Sequence, residues 1–153
     1  MNKVFEIILK PRIGLVKAIE SLSLEQLNEI PQGFNNNIIW NAGHLIAGQQ
    51  GICYRRGGLD LKIDQGFFLA YKPESKPEKF IGKDEVENIC GLLTSTIEQL
   101  ETDYKNNLFT TYATWTTSFG VELSSIDQAI NFLPFHEGLH FGAIGAIKKL
   151  VAK

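Results

Sequence analysis

The sequence predicts an all-α fold: a four-helix bundle with a long crossover between helices 2 and 3 and a short hairpin or extended excursion before helix 4. Three observations predict it. Four segments carry apolar residues at 3, 4 and 7 spacing, the period of a helix with one buried face. The stretch between the second and third is long and punctuated by Pro73, Pro77 and four glycines. The stretch before the fourth, Leu108 to Leu123, is rich in Thr, Tyr, Trp and Phe, which suit a pleated surface.

The first helix is expected over about Lys3 to Leu22, with Phe5, Ile8, Leu15, Ile19 and Leu22 on one stripe. Pro11 should kink it or start it afresh, because proline removes a donor and clashes with the preceding turn. The second is expected over about Ile38 to Arg56, capped by Asn35, Asn36 or Asn37 and ended by Gly57-Gly58. Gly43, Gly48 and Gly51 lie inside it, each costing ~1 kcal/mol against alanine, which implies close approach of something to the backbone. The third has the cleanest period, from Val86 through Ile89, Cys90, Leu93, Ile97 and Leu100 to Tyr104, with Asp84 and Glu87 in capping-box positions. The fourth runs over about Ile126 to Val151, with Ser125 and Gln128 in the same pattern. Its inward stripe includes Ala129, Ile130, Leu133, His136, His140, Ile144 and Ile147. Pro134 precedes both histidines, so their shared face survives any kink there. The 57–82 connection is expected to cover a cavity mouth.

One domain over 1–153 is expected from 153 residues, of which 44% are hydrophobic and 21% charged. That composition excludes disorder as the main state. A net charge of −2 argues against a phosphate-gripping nucleic-acid binder. Two cysteines, Cys53 and Cys90, make no disulfide framework and are expected as reduced thiols in a cytoplasmic protein. The longest uncharged stretch, Ile30 to Tyr54, holds four asparagines and three glutamines and cannot span lipid. Glu6 interrupts the apolar start, so no export signal is read there.

Chemistry concentrates in the three histidines, His44, His136 and His140. Residues 136 and 140 are four apart and share a helix face. Asn37, Asn41, His44 and Gly48 share a face of the second helix, and if that face meets the fourth helix, three imidazoles converge. Three histidines with an open position make a catalytic metal site rather than a structural one. Three core histidines satisfied without metal are the alternative. His136-Glu137-Gly138-Leu139-His140 also fits H-E-x-x-H, in which the glutamate is a general base. No His, Asp or Glu follows His140, and the only methionine is Met1, so the protease form lacks its third ligand and Met-turn. Arg55 and Arg56 close the second helix, where cations suit the C-terminus, and are expected to be solvated, the alternative being that they bind carboxylates of an anionic thiol.

Asn37-Ile38-Ile39-Trp40-Asn41-Ala42-Gly43-His44-Leu45, followed by His136-Glu137-Gly138-Leu139-His140-Phe141-Gly142, resembles the DinB-like superfamily, bacterial damage-inducible proteins related to thiol-dependent transferases. The resemblance covers nearly the whole chain. It implies a bundle with a divalent metal, zinc or nickel, held by His44, His136 and His140, and a homodimer. It also implies a low-molecular-weight thiol cosubstrate, such as bacillithiol or mycothiol, activated at the metal to attack a small electrophile. Glu137 is the candidate catalytic base, and Trp40, Asn37 and Asn41 are candidates to line or orient the substrate site. A hydrolase using metal-bound hydroxide, or a non-catalytic metal-binding stress-response module, are the competing readings. The expected partner is a small molecule, with neither nucleic acid nor membrane.

Overall fold

The computed structural model describes residues 2–152 and is an all-α bundle. Its elements are α1 (Lys3–Glu20), α2 (Leu24–Asn28), α3 (Ile38–Gln49), a π-helical turn (Gln50–Arg55), α4 (Gln65–Tyr71), α5 (Lys83–Lys105), a two-stranded hairpin of β1 (Trp115–Thr116) and β2 (Glu122–Leu123), and α6 (Ile126–Val151). Helix α1 packs on α5 and α6, and α3 packs on the same two from the other side. None of the helices among the described residues is long and apolar enough to cross a membrane.

Local chemistry sets most helix starts. Side-chain oxygens of Asn2, Ser23, Asn37, Asp64 and Ser125 each accept from a first-turn backbone N–H. The capping box expected at Asp84 and Glu87 is not formed: α5 starts two residues earlier than that box requires, and Gly82 is its N-cap with no side-chain bond. At α6 only half the box forms, since the Gln128 side chain accepts from Ser124 N–H instead of Ser125 N–H. Pro11 neither breaks nor restarts α1, which runs through it. Pro11 and Ile7 are both exposed, so water can reach the carbonyl that the proline leaves unpaired.

Two short helices escape the periodicity argument. Helix α2 is one turn, and α4 lies within the 57–82 connection, where Phe68 and Tyr71 join the core. The excursion before α6 is the expected hairpin, pairing Trp115 with Leu123 and Thr116 with Glu122. Gly120 takes a φ of 79° in its turn, a conformation that favours glycine.

Every residue of α3 is buried, from Ile38 to Gln49, because α2, α4, α5 and α6 all cover it. Its polar residues are few, and Asn41 and His44 find hydrogen-bond partners within that enclosure. Two apolar clusters fill the bundle. One gathers Leu15, Ile19, Ile39, Leu45, Leu93 and Ile147; the other gathers Phe5, Ile8, Cys53, Leu100 and Leu133. Between the residues that α1 gives to each lies Arg12, which is 0% exposed.

Candidate metal centre

Helix α3 supplies His44 and α6 supplies His136 and His140. The i, i+4 pair on α6 faces the buried α3, so all three rings meet. One nitrogen from each lies within 4.8 Å of the others, and His44 Nε2 is 3.3 Å from His136 Nε2. Two nitrogens bonded to one tetrahedral ion at about 2.0–2.1 Å stand about 3.3 Å apart, so that pair already has ligand spacing. The three nitrogens are close enough together to share one ion.

The other ring nitrogens decide which lone pairs are free. His44 Nδ1–H donates to the backbone carbonyl of Tyr71 at 2.7 Å, leaving Nε2 bare. His140 Nδ1–H donates to Asn41 Oδ1 at 2.8 Å, and Asn41 Nδ2 in turn donates to Asn36 Oδ1 and the Asn37 carbonyl, both at 2.8 Å. These second partners fix tautomer and ring orientation, as is usual around metal-binding histidines. His136 Nδ1 is buried with no partner. Burial, reinforced by the neighbouring His140, His44 and Arg12, pushes the His136 pKa down to about 3. Burial and His44 push His140 down to about 4, and burial lowers His44 despite the Tyr71 carbonyl. All three are therefore neutral near pH 7, the form that ligates metal. The donor set fits a divalent ion that accepts imidazole nitrogen.

Two of the helical glycines exist for this packing. A Cβ on Gly48 would meet His136 Cε1 at 2.7 Å, and one on Gly43 would overlap the Tyr71 ring, whose backbone holds His44. Gly51 is looser, with Phe68 at an ordinary 3.5 Å.

The histidines open onto a cavity of about 850 Å³, walled by Ile52, Phe68, Trp115, Phe119 and Phe132. The π-helical turn bears on it directly: Arg56 N–H bonds back five residues to the Gly51 carbonyl, and this wider turn brings Gly51, Ile52 and Arg55 to the cavity. Arg55 and Arg56 line it, Arg55 exposed as expected of a solvated helix end and Arg56 half-buried. The 57–82 connection contributes Phe68, Lys72, Pro73 and Glu74 to the lining.

The remaining candidates fall elsewhere. Trp40 stacks on the His44 imidazole, with ring centroids 4.8 Å apart and planes at 13°. Its Nε1–H donates to Ser75 Oγ, and with Asn37 it borders a separate cavity of about 300 Å³. Asn37 is the α3 cap, and Asn41 supports His140. None of these three lines the larger cavity. Glu137 does not point to the cavity either. It is buried on the α1 side, where both its oxygens accept from Arg12, so the base suggested by H-E-x-x-H is committed to an ion pair. Arg12 was not among the sequence candidates, although it occupies a position on the apolar stripe between Ile8 and Leu15, where a charge signals a buried partner.

A family model described as the DinB superfamily matches residues 12–144. No curated protein matches the chain.

Proposed function

The chain belongs to the DinB superfamily, and from that premise we propose that it is a metal-dependent enzyme with His44, His136 and His140 as the protein ligands of zinc or nickel. The reaction we propose is transfer of a low-molecular-weight thiol to a small electrophile, carried out by a cytoplasmic homodimer. The observation that carries the reading is the convergence of three imidazoles, one nitrogen of each within 4.8 Å of the others. With His44 Nδ1 committed to Tyr71, Nε2 of His44 and His136 face each other at 3.3 Å, while His136 Nδ1 is orphaned. When bound, a divalent ion supplies Lewis acidity, which favours ionisation of a thiol or water at neutral pH.

The chain's own residues provide the rest. Tyr71 and Asn41 hold two rings in the ligating tautomer. Trp40 backs the His44 ring. Phe68, Trp115 and Phe132 give the cavity an apolar wall for the body of the substrate. The test uses untagged protein purified without added metal. Elemental analysis should find zinc or nickel, and turnover of 1-chloro-2,4-dinitrobenzene should require both the metal and an added thiol such as bacillithiol. His44→Ala, His136→Ala and His140→Ala should each lose the metal while retaining helical circular dichroism. Full occupancy in His44→Ala overturns the ligand set, and turnover independent of thiol overturns the transfer reaction.

A further inference from the structure

The chain is acidic overall, with a net charge of −2, yet the wall of the histidine cavity is basic. Arg55, Arg56 and Lys72 line it against a single carboxylate residue, Glu74. Among the described residues none of the three cations has a carboxylate within ion-pair distance. Two of them lie on aromatic faces. The Arg56 guanidinium carbon is 4.4 Å from the Trp115 ring centroid, and that of Arg55 is 5.7 Å from the Phe68 centroid. Stacking uses the flat face of a guanidinium and leaves the N–H edges for an acceptor. Trp115 is itself anchored, donating to Tyr112 Oη at 3.0 Å, while Arg56's carbonyl accepts from Ala113 at 2.7 Å. The π-helical turn and the hairpin strand are thereby held together beside the cavity.

We infer that this cavity takes an organic anion, whose carboxylate, sulfonate or phosphate group sits against Arg55, Arg56 and Lys72 and whose apolar body lies along Phe68, Trp115, Phe119 and Phe132. The inference names the substrate class for the cavity proposed above and rests on the reading that this cavity is the substrate site. Concave placement is what makes the cations selective: inside a partly apolar wall, a hydrogen bond to a charged group is stronger than on an open surface.

The probe is naphthalene-2-sulfonate, a poor metal ligand, compared with its neutral counterpart 2-(methylsulfonyl)naphthalene. Binding is measured by calorimetry on the purified protein, with metal content measured on the same samples. The sulfonate should bind about tenfold more tightly than the sulfone, the equivalent of one charge-assisted hydrogen bond. In the Arg55→Gln/Arg56→Gln double variant the two should bind about equally, with metal content unchanged. If that variant does not fold, Lys72→Gln is read instead and should weaken the sulfonate alone. Equal binding of both probes by the unaltered protein overturns the inference, as does a preference that survives in the folded variant. A protein that lacks metal but still prefers the sulfonate supports the anion site and overturns the metal reading.

Discussion

Arg12 and Glu137 form a fully buried, two-pronged ion pair: Nε donates to one carboxylate oxygen at 3.0 Å and Nη2 to the other at 2.6 Å. The guanidinium spends its other donors on the Leu93 carbonyl at 3.0 Å, Thr96 Oγ1, and the Leu45 carbonyl at 3.0 Å. One side chain thus ties α1 to α3, α5 and α6. It grips the residues next to two candidate ligands, Leu45 beside His44 and Glu137 beside His136. Arg12→Ala should cost about 3–5 kcal/mol of stability, because it strands the Glu137 carboxylate in the interior. Urea unfolding reads this directly. Glu137→Gln should also lower stability, yet leave the pH dependence of any turnover unchanged; a shifted pH profile would instead make Glu137 the base.

Asn41 supports His140 and Asn37 caps the helix, so their alanine variants should separate. Asn41→Ala should weaken metal binding about 10–100-fold, the usual effect of losing a partner that orients a ligand. Asn37→Ala should cost about 1 kcal/mol of stability and leave metal affinity close to that of the parent. Competition with a chromophoric chelator, run beside thermal melts, distinguishes the two effects.

Gly48→Ala is normally a helix-stabilising change. Here the new methyl would sit 2.7 Å from His136 Cε1 and must push that ring away from His44. The expected outcome is loss of metal affinity with the helices intact. Unchanged metal affinity would mean that His136 can ligate from a shifted position.

The metal-free protein should be acid-sensitive. His136 and His140 titrate at about 3 and about 4 in the fold against an ordinary 6.5. A histidine held neutral in the fold contributes stability that is fully present above pH 6.5 and is lost as the pH falls toward those folded values. Chelator-treated protein should therefore melt at lower temperature at pH 5 than at pH 7, and His136→Ala should flatten that slope. A slope left intact in that variant would assign the acid sensitivity to other groups.

Periodicity made the long helices legible, because each buries one face for most of its length and the sequence shows the matching stripe. The short α2 and α4 were not legible: a helix of five or seven residues is too brief to display a period, and α4 is held by Phe68 and Tyr71 docking on α3. The convergence of the three histidines followed from spacing once α3 met α6. Their backing did not, since the Tyr71 carbonyl carries no side-chain signature. Trp40 and Asn37, one and two helix turns before His44, border the smaller cavity and not the one onto which the histidines open, and Trp40 meets the site only through the His44 ring. Arg12 and Glu137 left a readable trace, charges on the inward stripes of α1 and α6, but a charge on a stripe does not name its partner.

The enclosure of α3 has a dynamic consequence. A rod with no face to solvent cannot fray open by itself, so its amide protons can exchange with deuterium only when neighbouring helices lift away. His44 therefore rides on a helix that opens only after its neighbours move, whereas Pro73 and Glu74, which line the same cavity, already face solvent.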